Sequence, residues 1–370
     1  MSFYISGVAQ APSNIALAKY MGKEDARHNI PSNSSLSMTL DSLRSVAEVR
    51  RFPDVKNWDD GKKVRWVREA PRTEGSFSAP DLSENGISKV EFHVERLCDA
   101  LPEIFWDQGL DLDAQGSFEV RTINTFPTAS GIASSASSFA AITLATAFAC
   151  SKNPEAFSES FSERPAFRNQ LSQVARQGSG SSCRSFDGSW VIWDADGEVQ
   201  KTYTLESKLP QLTDLILLVQ SEPKKISSSE AHLRVKSSPM WEGRVKRTRD
   251  RISTFREAIK EGDFETIGKT SWEEMWDMHT LFHTAKEPFT YWQPGTFQAM
   301  NWIFSEILHE RNRPIITMDA GANFHFLVPT EDAGLWERKI LQQFTEFRIL
   351  KDRSGSGATP IDASAKEGLS

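Results

Sequence analysis

A two-domain α+β chain is the fold class this sequence predicts, from three observations. Strand-like alternation, as in Leu36, Met38 and Leu40, occurs in both halves. Apolar residues spaced near 3.6, as in Val90, Phe92, Val94, Leu97 and Leu101, mark helices among those strands. The length of 370 residues suits two domains.

Taken in order, residues 2–9 read as a strand that Pro12 breaks. A mixed apolar segment, 14–21, follows, and 35–40 is a second strand. Residues 50–90, rich in charge, Gly, Pro and Ser, read as connecting structure with hairpin strands near 63–68. A helix over 90–101 and a strand over 118–123 lead into the small-residue run 124–138, which opens an Ala-rich helix over 139–149. A helix over 165–176, a Gly/Ser loop over 178–188 and a strand over 189–194 complete the first half. The turn Asp194-Ala-Asp-Gly divides the chain into domains 1–194 and 195–370. The second half reads as a strand (215–219), a basic helix (235–260), a Trp-rich helix (264–282), a helix (296–311) and strands over 315–318 and 324–328. The end, 363–370, reads as frayed.

Hydrophobic residues make up 39% of the chain and charged residues 25%, enough apolar material for a core and far from the profile of disorder. Lys and Arg number 43 against 50 Asp and Glu, a net charge of −7. An acidic chain binds polyanions poorly, so nucleic acid is not an expected partner and any phosphate site must be built locally. Cys98, Cys150 and Cys183 are too few and scattered for a disulfide framework or a zinc site, which fits a reducing cytosol. The start lacks the basic region and apolar run of a signal peptide, and the apolar stretch 139–150 falls short of the roughly 20 residues of a membrane span. A soluble cytoplasmic protein is expected, with no membrane partner.

Four features bear on chemistry. Small residues over 127–138, among them Pro127, Ala129, Gly131, Ser134, Ser135 and Ser137, allow backbone N–H groups to converge on a phosphate at a helix start. The plain alternative is a tightly packed helix start, and the run is neither a Walker A nor a GxGxxG motif. Arg184, in the second Gly/Ser loop, is a bidentate anion ligand or a surface arginine. Lys19 and Lys23, four apart, share a face if the segment is helical, with Tyr20 beside them; a solvated pair is the default. Asp319 follows an apolar strand and is either a carboxylate presented to a cleft or an Asx turn. His279 and His283 have zinc-ligand spacing without the glutamate of HExxH, and Trp272, Trp276 and Leu281 read as a buried helix face.

In this order, Ser13-Asn-Ile-Ala-Leu-Ala-Lys-Tyr-Met-Gly-Lys23, Pro31-Ser-Asn-Ser-Ser-Leu-Ser37, Pro127-Thr-Ala-Ser-Gly-Ile-Ala-Ser-Ser-Ala136, Gly178-Ser-Gly-Ser-Ser-Cys-Arg-Ser185, Lys224-Lys-Ile-Ser-Ser228 and Met318-Asp-Ala-Gly-Ala-Asn323 closely resemble the mevalonate diphosphate decarboxylases of the GHMP kinase superfamily. The resemblance implies the two-domain GHMP kinase fold, with a ribosomal-protein-like N-terminal half, a ferredoxin-like C-terminal half, a cleft between them and a homodimeric assembly. It implies conversion of mevalonate 5-diphosphate and ATP, with Mg2+, into isopentenyl diphosphate, ADP, phosphate and CO2.

Matched motif to motif, Asp319, Arg184 and Lys19 are implied as catalytic. Tyr20, Lys23, Ser179, Ser181, Arg184 and Ser228 are implied as substrate contacts. Pro127, Ala129, Gly131, Ser134, Ser135 and Ser137 are implied to face ATP, and no residue is implied as a metal ligand. Four positions depart from the pattern: Met21 stands where many members carry Trp, Ala322 replaces the usual Pro, and Ser229 and Glu230 differ from the common residues there. Other readings remain open on sequence: an enzyme acting on mevalonate 5-phosphate, a 3-kinase, or a non-catalytic metabolite-binding protein.

Overall fold

The computed structural model describes residues 3–71, 79–126, 134–195, 200–219 and 225–361. Strand β1 (Ile5–Ala18) runs straight through Pro12. Its pairing register slips between Pro12 and Asn14, and such a bulge accommodates a residue without an N–H. The short pair β2 (Lys23–Asp25) and β3 (Ile30–Pro31) follows, then β4 (Ser35–Phe52), which runs well past the alternating residues Leu36, Met38 and Leu40 and is buried at most of its positions. In place of the expected hairpin near 63–68, a single strand β5 (Val64–Trp66) lies parallel to β6 (Ser117–Asn124).

Helix α1 (Glu84–Gln108) is longer at both ends than its apolar spacing indicated, because Ser83 caps it by accepting the Gly86 N–H and Gly109, left-handed at φ 66, closes it. Helix α2 (Ser134–Cys150) begins five residues ahead of the expected start at Phe139 and is buried almost all round. Helices α3 (Pro154–Glu163), absent from the sequence reading, and α4 (Pro165–Gly178) complete the layer over the sheet. Val94, Leu97, Ile142, Leu144, Phe157 and Phe167 lie in the core beneath them.

Strands β7 (Trp190–Asp194) and β8 (Lys201–Leu205) pair across Asp194, so the first sheet extends beyond the expected boundary. The second half opens with β9 (Leu212–Leu218) and α5 (Ser228–Arg234). The expected continuous helix over 235–260 is broken by Pro239 and by Gly243, left-handed at φ 76, so α6 is Arg244–Glu261. Next come α7 (Phe264–Thr284), α8 (Pro294–Trp302), β10 (Ile315–Met318), β11 (Phe324–Pro329), α9 (Ala333–Gln343), β12 (Arg348–Arg353) and β13 (Thr359–Ile361).

Among the described residues the first sheet has seven strands, ordered β13-β1-β4-β6-β5, with β7 joined to β4 and β8 to β7; the second has four, ordered β10-β11-β9-β12. The halves are bound together in two ways. An apolar cluster joins Ile15 and Leu36 of the first sheet to Ile216, Leu327 and Phe255 of the second half. Asp352 of β12 accepts the N–H groups of Ser42 and Leu43 in β4, after which β13 pairs with β1. The relative position of the two sheets, and the cleft between them, is thereby set. No helix among the described residues is long and apolar enough to cross a membrane.

Candidate active site

The end of β1 meets the end of β10 at the floor of a cleft of about 670 Å³. Lys19, only 2% exposed, donates from Nζ to Asp319 Oδ1 at 2.8 Å and to the Ala16 carbonyl. Burial lowers the Lys19 pKa below its usual value, and the Asp319 carboxylate opposes that shift. The Lys19 backbone is held as firmly: its N–H donates to Glu274 Oε1 at 2.9 Å, and its carbonyl accepts from Asn33 at 2.9 Å and Arg244 at 3.3 Å. Arg244 and Glu274 are fully buried and, with Asp277 and Arg251, form an ion network between α6 and α7. Apolar helix faces alone do not specify this depth; the network ties it to Lys19.

Arg184 lies in the 3-10 turn after α4, buried against β1 and β4. It donates from Nη1 to Ser35 Oγ at 2.6 Å, from Nε to Ser37 Oγ at 3.1 Å and from Nη2 to Asn14 Oδ1 at 3.4 Å. Among the described residues no carboxylate lies within ion-pair distance of it. A buried guanidinium held by neutral oxygens keeps its affinity for an incoming anion.

Lys19 and Lys23 do not share a helix face, because the segment is strand, then turn, then strand. Gly22, at φ +92, makes the turn, and a Cβ there would lie 2.2 Å from the Trp241 ring. Tyr20 packs between Trp193 and His232, with ring centroids 4.8 and 4.2 Å away, and its buried hydroxyl has no hydrogen-bond partner among the described residues. Gly180 makes room for it, since a Cβ there would lie 2.4 Å from the Tyr20 ring. Lys23 lines the cleft with Lys89 of α1; burial and then the like charge of Lys89 lower its pKa to about 8. Two lysines that repel one another in a cleft favour an anion between them.

Ser179, Ser181 and Ser228 all line the same cleft. Pro127, Ala129 and Gly131 lie outside the described residues. Ser134 and Ser135, in the first turn of α2, do face the cleft, and Ser135 Oγ is 3.2 Å from Ser179 Oγ. Ser137, one turn into α2, is placed differently from Ser134 and Ser135. It is buried, with Oγ 2.7 Å from Ser45 Oγ of β4, because two residues of helix turn it from the cleft to the sheet. Ser138 lines the cleft instead.

No group of three His, Cys, Asp or Glu side chains suited to a metal occurs among the described residues. The hydroxyls of Ser134 and Ser135 in the cleft lining fit Mg2+ arriving on nucleotide phosphates, since this hard cation keeps waters and phosphate oxygens as ligands. His279 is buried and His283 half-buried beside Thr290, so the zinc-like spacing is a packing feature.

A family profile described as a diphosphomevalonate decarboxylase-like N-terminal domain matches residues 11–204, and one described as a mevalonate 5-diphosphate decarboxylase C-terminal domain matches 214–366. The chain belongs to the diphosphomevalonate decarboxylase family. The diphosphomevalonate decarboxylase of Debaryomyces hansenii is 30% identical over 87% of this chain and 79% of its own. The solved mevalonate diphosphate decarboxylase of Legionella pneumophila is 31% identical with a TM-score of 0.75, covering 94% of this chain and all of that one. A structure described as MDDEF in complex with MVAPP, AMPPCP and magnesium is 26% identical with a TM-score of 0.75, covering 98% of this chain and 100% of that one.

As a member of the diphosphomevalonate decarboxylase family, the chain accommodates its departures from the common pattern locally. Met21 is buried among Met278, Leu281 and Phe282, and the Ala322 carbonyl accepts from Thr296 at 3.0 Å. Glu230 pairs with Arg234 on its own helix and is not in the cleft lining, whereas Ser229 is. Asn14, Ser35 and Ser37 position Arg184, and Glu274 and Arg244 hold Lys19; the sequence reading assigned a role to none of them. Asn14, Ser35 and Ser37 lie inside two quoted segments, which was the available signal. Glu274 and Arg244 sit in helices with no motif at all.

Proposed function

We propose that the cleft phosphorylates the tertiary 3-hydroxyl of mevalonate 5-diphosphate with ATP and then eliminates phosphate and CO2 to leave isopentenyl diphosphate. The observation that carries this reading is the meeting, in one cleft, of the Lys19–Asp319 pair with Arg184, a buried cation held only by neutral oxygens.

Asp319 takes the hydroxyl proton as the oxygen attacks the terminal phosphorus of ATP and ADP departs. The new phosphate then leaves with the carbon–oxygen bonding pair, and the electrons of the bond to the carboxylate become the alkene as CO2 departs. Arg184 holds that carboxylate in line beforehand, and Lys19 keeps Asp319 ionised and fixed. Lys23, Tyr20, Ser179, Ser181 and Ser228 face the substrate, with Lys23 on its phosphate chain. Ser134 and Ser135 face ATP, together with Pro127, Ala129 and Gly131, which precede them in the sequence and which the family pattern assigns to ATP. Mg2+, when bound with ATP, neutralises phosphate charge beside those hydroxyls. The phosphate loop thus belongs to the N-terminal domain and Asp319 to the C-terminal domain. The same reading places a homodimer in the cytosol, where the free thiols of Cys98, Cys150 and Cys183 are at home.

Purified protein with ATP and Mg2+, offered mevalonate, its 5-phosphate and its 5-diphosphate separately, tests the reading. ADP and CO2 should appear together with the diphosphate. ADP without CO2 would make the protein a kinase, and CO2 from the monophosphate alone would change the substrate.

A further inference from the structure

His232 belongs to no segment that carried the family resemblance, yet it stands in the cleft wall on α5 next to the groups expected to hold the substrate anion. Its Nδ1 accepts the Gly22 backbone N–H at 3.0 Å. An imidazole whose Nδ1 accepts a hydrogen bond carries its proton on Nε2. Among the described residues Nε2 has no hydrogen-bond partner, and it is not among the polar atoms sealed from solvent. Burial, with the Lys23 charge second, lowers the His232 pKa to about 3, so the ring is neutral at physiological pH and its tautomer is set by Gly22. Its ring packs on Tyr20, with centroids 4.2 Å apart, and the Tyr20 hydroxyl also lacks a partner among the described residues. Ser228 and Ser229, one helical turn earlier, line the same wall.

We propose that His232 is a substrate-binding residue of this enzyme whose Nε2–H donates a hydrogen bond to the phosphate chain of the bound substrate. Resting on the functional reading above, the proposal adds a donor that the motif comparison does not contain. A neutral donor suits this place. Lys23 and Lys89 already repel one another, and a third full charge would weaken both, whereas an N–H dipole held by Gly22 adds attraction without that penalty. The hydrogen bond to Gly22 also couples the ring to the turn that aims Lys23, so donor and cation are set by one piece of backbone.

Two substitutions separate contact from support. His232→Asn keeps an acceptor near the Nδ1 position for the Gly22 N–H but lacks the outer donor; His232→Gln keeps an amide donor near the Nε2 position but loses the Gly22 bond. In the full-length protein, His232→Asn should weaken mevalonate 5-diphosphate binding on the order of tenfold, the factor of a hydrogen bond to a charged group, while kcat changes much less. His232→Gln should recover most of that affinity. Calorimetry with inorganic pyrophosphate should show the same ranking without catalysis, and in the wild-type protein pyrophosphate should move the Nε2–H resonance of a 15N-labelled His232. Wild-type protein that binds pyrophosphate but releases no CO2 from any mevalonate derivative would overturn the catalytic reading alone, since the pyrophosphate ranking still reads the contact. Asn binding as well as wild type, Gln losing as much as Asn, or an unmoved Nε2–H resonance would overturn the proposal and leave His232 a support of the Gly22 turn.

Discussion

Replacing Asp319 by Asn keeps the shape of the side chain and removes both its charge and its basicity. The structure sets two separable costs. For chemistry, removal of a general base costs about 100- to 10,000-fold, or about 2.7–5.4 kcal/mol of barrier at 1.36 kcal/mol per factor of ten. For the fold, the substitution strands Lys19, which is 2% exposed and has Asp319 Oδ1 at 2.8 Å. Breaking a buried pair costs about 3–5 kcal/mol. The Asp319 side chain is 23% exposed and Lys19 retains the Ala16 carbonyl, so the low end, about 3 kcal/mol, is expected.

The stability cost has a sign in pH. Lys19 already has a pKa below its unfolded value, and losing the Asp319 charge lowers it further. Between the folded and unfolded values the unfolded chain holds a proton that the folded chain lacks, so stability rises with pH across that window and is lowest beneath it. The variant should therefore lose more stability at pH 6 than at pH 9, measured by urea unfolding. Single-turnover ADP formation and CO2 release should then be followed on variant protein shown by calorimetry to bind both ligands. ADP formed at nearly the wild-type rate with CO2 blocked would refute the assignment of Asp319 as the base and move it to the elimination step.

Lys23, with a pKa lowered to about 8, should give kcat/KM a fall as pH rises through that value, because the cation is then lost; Lys89→Ala should move the inflection upward and Lys23→Ala should abolish it while raising KM more than it lowers kcat. Ser135→Leu, at the mouth of α2, should weaken ATP binding in calorimetry without lowering the melting temperature, and unchanged affinity would remove Ser135 from the nucleotide site. Glu274→Gln should destabilise the protein by about 3 kcal/mol in urea titration, because Arg244 and the Lys19 N–H lose a buried anionic partner.

Much of the site was legible because its chemistry is local. A strand, a run of small residues in the sequence and a helix that opens at Ser134 follow in order, and Asp319 follows an apolar strand, so those features are visible in a single pass along the chain. Locality does not distinguish the serines of that run: helix phase leaves Ser134 and Ser135 in the cleft lining and buries Ser137 against Ser45. It misled at Lys19 and Lys23, where spacing of four suggests a shared helical face but the backbone is strand, left-handed Gly22 and strand. Pro12 reads as a breaker because a bulge depends on the partner strand, which begins more than twenty residues away.

Long-range pairing decided the remainder. Lys19 and Asp319 are 300 residues apart and become an ion pair only because two separate sheets are fastened through Asp352, β13 and the shared apolar cluster. Arg184, proposed to hold the substrate carboxylate, is a buried cation among neutral oxygens only because β1 and β4 supply them. His232 becomes a directed donor only when Gly22, 210 residues earlier, takes its other nitrogen. Periodicity and turn chemistry are properties of neighbouring residues, so a linear reading recovers them. Burial, tautomer and unmet charge are properties of what arrives from elsewhere in the chain, and packing alone decides them.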